Sequence, residues 1–129
     1  MEIKDQVKLR FSGVDIVHLL FNSNRQLVQT PKNPIKLEID PKVFYPKNES
    51  KKFLIIMDVE MEVENFFNLK LTAIGKFELN QEISKEIKKG FVNINAPAIM
   101  FPYVRSFVST LTANLGSATG TLTMPPKIF

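Results

Sequence analysis

Between Phe53 and Leu79 an apolar residue falls on nearly every second position, in two successive runs with polar residues between. Met57, Val59, Met61 and Val63 share one face of an extended chain, and Asp58, Glu60, Glu62 and Glu64 share the other. On the return, Phe67, Leu69, Leu71, Ala73, Phe77 and Leu79 lie opposite Asn68, Lys70, Thr72, Lys76 and Glu78. A period of two marks a half-buried strand. Matching faces must meet, so Val63 is expected opposite Phe67 or Leu69 across a turn near Asn65, with Lys70 beside the acidic row. The hairpin therefore predicts a sheet with one apolar face and one charged, wet face.

Upstream, Val7, Leu9 and Phe11 alternate with Lys8, Arg10 and Ser12, and Val14 to Phe21 is apolar on both faces apart from Asp15 and His18. Gly13 interrupts the pattern as a bulge would, so one long bent strand is expected. Asn22 to Pro34 is polar and proline-bearing, a loop. Ile35, Leu37 and Ile39 predict a short strand that ends at Pro41. The connection from Pro41 to Lys52 holds Val43, Phe44 and Tyr45 between two prolines. These side chains either tuck onto the domain's own core or form a mobile apolar flap over a groove. Gln81 to Lys89 predicts a short helix, with acids early and lysines late as the helix dipole favours. Gly90 is expected to end it, and Phe91 to Ile94 to be extended.

The longest element is expected from Asn95 to Leu115. Asn95 can cap a first turn, Pro97 sits near the start where a missing N–H costs nothing, and Gly116 offers a left-handed stop. Phe101, Val104, Val108, Leu111 and Leu115 form one apolar stripe; Met100, Tyr103, Phe107 and Thr110 form a second beside it. Pro102 should kink the helix or delay its start. Arg105 is the only charge between Phe91 and Pro126. A surface helix normally keeps one wet face. This one has almost none, so either it is buried within the chain or one of its apolar faces belongs to a partner subunit. The partner is the expected reading, with Val104, Phe107, Val108, Leu111 and Leu115 as the interface candidates and the sheet-facing stripe left open.

The 129 residues suit a single domain spanning 1–129. The class is α+β: a four-stranded antiparallel sheet backed by a short and a long C-terminal helix. No cysteine is present, which removes disulfides, thiolate metal sites and thiol catalysis. The N-terminus alternates charged and apolar residues, unlike a signal peptide. The longest solid apolar run, Phe53 to Met57, is far short of the roughly 20 residues a membrane span needs. A soluble, cytoplasmic protein is expected. The net charge of +4 comes from scattered lysines and arginines, not a stripe interleaved with aromatics, so nucleic acid is not the expected partner. His18, the sole histidine, falls in an apolar strand and is expected to be a hydrogen-bonded structural residue. No phosphate loop or dinucleotide fingerprint occurs. The acidic row of Asp58, Glu60, Glu62 and Glu64 has side chains about 7 Å apart, too far to close on one metal ion. No catalytic residue, metal or cofactor is assigned, and binding rather than catalysis is expected.

The run Ile99-Met100-Phe101-Pro102-Tyr103-Val104-Arg105, followed by the tail Met124-Pro-Pro-Lys-Ile-Phe129, resembles the export chaperone SecB and its wider family. Elsewhere the likeness lies in the order and lengths of elements. It implies long helices packed between subunits of a dimer of dimers, which would place the second stripe. It also implies ATP-independent holding of unfolded polypeptides in apolar grooves, at positions matching Val43, Phe44 and Tyr45 in the second connection and Ile99 and Phe101 at the helix start. Clients would be preproteins or other unfolded chains. SecB proteins that pass clients to the motor ATPase SecA are acidic. This chain is basic, with Glu78 at one matching acidic position and the first-strand acids replaced near His18 and Asn22. Where the family continues into a second amphipathic helix and an acidic tail, this sequence reads Met124-Pro-Pro-Lys-Ile-Phe129, so neither is expected to take part. The holding activity is thus better matched than SecA docking. An adaptor guarding a single partner, such as an antitoxin, is the alternative, and an enzyme or small-ligand binder is a third class.

Overall fold

The computed structural model describes residues 6–23, 34–116, 119–120 and 122–124. Most of the polar stretch before Pro34 and the tail beyond Met124 lie outside the described residues. Strands β1 (Leu9–Ser23), β2 (Lys36–Phe44), β3 (Lys52–Val63) and β4 (Phe67–Leu79) form one antiparallel sheet in the order β1-β4-β3-β2. The α+β class read from the sequence is the one observed. Val63 pairs with Phe67, and Asn65 makes the turn at a φ of 68°. Glu60 faces Lys70 across the strands, with Nζ 3.9 Å from the carboxylate.

Both edges of the sheet are irregular for readable reasons. Gly13 has a φ of 103° where β1 slips register between Phe11 and Val14. A second slip at Val17 returns Leu19 and Phe21 to the apolar face, opposite Leu71 and Leu69. It also puts His18 on the outer face opposite Thr72, exposed, which corrects the expectation of a structural histidine. β2 does not stop at Pro41 but runs on to Phe44. Since β2 is an edge, a proline there need not cost the sheet a ladder bond.

The helical region is one continuous arm with a defect in it. α1 (Lys85–Gly90) begins later than expected and is capped by Ser84, whose hydroxyl accepts from the Ile87 N–H. Gly90 is the last residue of α1, as expected, but it has ordinary helical dihedrals and the chain stays helical beyond it. Phe91–Asn95 is a π-helical turn rather than an extended segment, and α2 (Ala96–Ala113) follows directly. Asn95 is helical and caps nothing. The prolines give the physical reason. Pro97 has no N–H to offer the carbonyl four residues back, and its ring crowds that carbonyl. The widened turn relieves the crowding and closes with the Ala96 N–H on the Phe91 carbonyl. Pro102 sits inside α2 without breaking it. It and Ala98 are both exposed, so water can take the carbonyl that loses its donor.

α2 lies across β4 and β1. The Met100 side chain packs over Gly75, where a Cβ would sit 2.8 Å from the Met100 sulfur and 3.0 Å from the Phe77 ring. A side chain there would have to displace the end of Met100. The buried stripe is Met100, Val104, Val108 and Thr112, with Phe101 beside it, and so mixes the two stripes read from the sequence. Phe101 is 2 % exposed and Val104 and Val108 are 0 %, so the chain's own core takes all three. Their assignments to client binding and to an oligomer contact are corrected accordingly. Phe107, Leu111 and Leu115 remain half-buried.

The last described residues explain Arg105. Leu122 and Met124 are buried in the core, and their backbone runs against α2. Arg105 Nε donates to the Met124 carbonyl at 2.8 Å, and Ser109 Oγ to the Leu122 carbonyl at 3.1 Å. The Leu122 N–H donates to Thr112 Oγ1 at 2.9 Å, and that hydroxyl donates in turn to the Val108 carbonyl. Arg105, Ser109 and Thr112 are one helical stripe, a polar seam that holds an extended strap. Thr112→Val keeps the shape and removes the acceptor, leaving a buried amide unpaired. The expected loss of stability is about 1–3 kcal/mol, read by urea denaturation; an unchanged midpoint would show that the strap contributes nothing.

Candidate polypeptide-binding surface

Val43, Phe44 and Tyr45 fit neither reading offered by the sequence. Val43 and Phe44 are the last residues of β2, paired with Ile55 and Leu54. Successive strand residues point to opposite faces. Val43 therefore lies on the helix-backed face and Phe44 on the outer one. Nor are they tucked away: Phe44 is 50 % exposed and Tyr45 51 %. The connection after them is tied to α1 rather than forming a free flap. Lys88 Nζ donates to the Ser50 carbonyl at 2.7 Å and stands 4.9 Å from the centroid of the Tyr45 ring, and the Ser50 hydroxyl bonds Glu82.

The outer face is not uniformly charged. Near the β3–β4 turn it is a polar mesh, in which Lys70 meets Glu60, Lys42 meets Asp40 and Asp58, and Thr72 donates to Asp58 at 2.7 Å. At the other end, cross-strand pairing sets Leu54 beside Phe44 and Ile56 beside Ile74 on that same face. These residues form an apolar patch flanked by Lys42 and Lys76, and Lys76 pairs with Asp15 at 2.9 Å. The signal was the unbroken run Phe53 to Met57, since a strand apolar at every position has something to cover on both faces. Tyr45 also floors a hollow of about 310 Å³ whose other walls are Lys85, Lys88 and Lys89.

The remaining assigned positions are scattered around this surface. Ile99 is exposed on α2, one turn before Tyr103, which leans on Phe11 with ring centroids 4.9 Å apart. Ile94, Val17, Leu19 and Leu20 are further exposed apolar residues, the last three on the edge strand β1. Glu78 stands between Arg10 of β1 and Lys52 of β3, so its charge is flanked by two cations in the register.

The described residues thus form a four-stranded antiparallel sheet under a long helix, with apolar side chains exposed at a strand edge. Residues 17–123 match the model of the family described as preprotein translocase subunit SecB, and the chain belongs to the SecB family. It is 34 % identical over 119 residues to an uncharacterized protein of Methanocaldococcus jannaschii, covering 88 % of this chain and 76 % of that one. It is 28 % identical over 112 residues to the protein-export protein SecB of Orientia tsutsugamushi, covering 84 % of this chain and 65 % of its relative. Thus it spans a little under two thirds of that SecB. The fold is that of the Mycobacterium tuberculosis SecB-like chaperone Rv1957, solved with a peptide of the HigA1 antitoxin, at a TM-score of 0.72 and 16 % identity over 92 % of this chain and 87 % of that one.

If Lys88 pins the connection as the geometry indicates, Lys88→Ala releases it locally. Amide hydrogen exchange over residues 45–51 should then quicken by roughly fivefold, with β3 and β4 unchanged. Equal exchange in both proteins would contradict the pin.

Proposed function

We propose that this protein is an ATP-independent chaperone that holds non-native polypeptides, and that Val43, Phe44 and Tyr45 with the patch around Leu54, Ile56 and Ile74 are its client surface. One observation carries the reading. In a chain of the SecB family, apolar side chains stand exposed at the end of an edge strand, where an extended client finds both backbone groups to pair with and apolar surface to bury. Burial at roughly 25 cal/mol per Å² supplies the affinity. No step of this mechanism calls on nucleotide hydrolysis. The place of action is the cytoplasm, as for an export chaperone. Ile99 adds apolar surface from α2.

Docking to SecA has weaker support, because Glu78 sits between two cations and the face around it is charge-balanced. A dedicated adaptor is the second reading, favoured by the antitoxin peptide in the Mycobacterium structure. The two differ in breadth. A holdase suppresses aggregation of unrelated unfolded proteins at near-stoichiometric amounts without ATP, read by light scattering on dilution from denaturant. Phe44→Asp with Tyr45→Asp should abolish suppression while leaving the melting temperature within a few degrees. No suppression by the native chain would remove the holdase and leave the single-partner adaptor.

We further propose a homo-oligomer built on α2, whose exposed Ile99 and Tyr103 join the half-buried Phe107, Leu111 and Leu115. Ile99→Glu with Tyr103→Glu should lower the mass seen by sedimentation without unfolding the chain. A native protein already monomeric at tens of micromolar would end this proposal.

A further inference from the structure

Of the described lysines, four are paired with acids and Lys8, Lys36, Lys47 and Lys51 stand singly without such a pair, whereas three unpaired ones are grouped on α1. Lys42, Lys52, Lys70 and Lys76 each have a carboxylate within 4 Å. Lys85, Lys88 and Lys89 have none among the described residues. Spacings of three and four put these three ammonium groups on one side of α1, where like charges repel. They converge on the hollow floored by Tyr45. None of the residues lining it is acidic; the nearest acids in the chain are Glu82, bonded by the Ser50 hydroxyl, and Glu86 on α1 itself. The site thus sets three lysines around a half-exposed aromatic ring, one residue beyond Phe44 and the outer apolar patch.

We propose that this hollow selects, among the polypeptides the protein holds, extended segments in which a carboxylate side chain lies beside an aromatic or aliphatic one. The inference rests on the polypeptide-binding reading above. The apolar residue of the segment takes the Phe44, Leu54 and Ile74 patch, and its acid settles among Lys85, Lys88 and Lys89. Relief of the lysines' mutual repulsion adds to the direct attraction. A client lysine at the same place meets the opposite force, so the site discriminates by repulsion as well. Nucleic acid fits less well, although it is also acidic. A base needs a free ring face on which to stack, and the Lys88 ammonium already stands by the Tyr45 ring.

The test uses three labelled, unstructured peptides with one shared aromatic-aliphatic centre, flanked by glutamates, by serines or by lysines, and fluorescence anisotropy at low salt. The glutamate peptide is expected to bind about tenfold tighter than the serine peptide, and the lysine peptide weaker than both. Lys85→Glu with Lys89→Glu should invert the order, and raised salt should flatten it. Equal binding of glutamate and serine peptides overturns the selectivity while leaving the holding function intact. So does a preference that survives in the double variant. A single-stranded oligonucleotide that outcompetes the glutamate peptide overturns it in favour of a general polyanion site. If none of the three peptides binds, the selectivity and the polypeptide-binding reading fall together.

Discussion

The burial of the sheet's apolar face under α2 is the contact on which the rest of the structure depends. β3 and β4 present their core side chains almost fully buried, and Met100 comes down directly over Gly75. A glycine at that strand position leaves room for the Met100 side chain, while Phe101, Val104 and Val108 are consumed within the chain. Close packing of this kind leaves no freedom in which helix face is used. What remains outside is therefore set by what is taken inside: Ile99 and Tyr103 stay on the surface because Met100 and Val104 do not.

The arm from α1 to α2 shows how local strain is absorbed. Two prolines would be expected to end a helix of this length. Here one is accommodated by a π-helical turn and the other by facing water. The continuous arm carries the lysines of α1 against the connection that follows β2, and Lys88 ties the two together. The position of Tyr45 thus depends on a helix forty residues later in the chain. Similarly, the polar seam of α2 is intelligible only with the strap at Leu122 and Met124 in place.

Charge is distributed with the same economy. Surface ion pairs contribute little stability individually, but across the outer face they cancel much of the field that the acidic row would otherwise produce. The three lysines of α1 that line the Tyr45 hollow have no such partner among the described residues and stand beside exposed aromatic surface. On the reading proposed above, that asymmetry would make acidic and basic clients differ even where their apolar content is equal.

By itself the sequence determined much of what depends on local periodicity and turn chemistry: the β3–β4 hairpin with Val63 opposite Phe67 or Leu69, the bend at Gly13, the existence of a long apolar helix and, through the run from Ile99 to Arg105, the family; the structure chose Phe67. It left unreadable whatever joins remote segments. The two apolar stripes of α2 are equally good as patterns, and only docking on the sheet decided that Met100, Val104 and Val108 are buried. Pro41 looked like a strand end, and only its edge position allowed β2 to continue, which put Val43 and Phe44 on opposite faces. No spacing along the chain relates Lys88 to Tyr45 or Arg105 to Met124. Periodicity reports how a segment divides its own faces between water and oil; which partner lies against each face is settled by the packing of the whole chain.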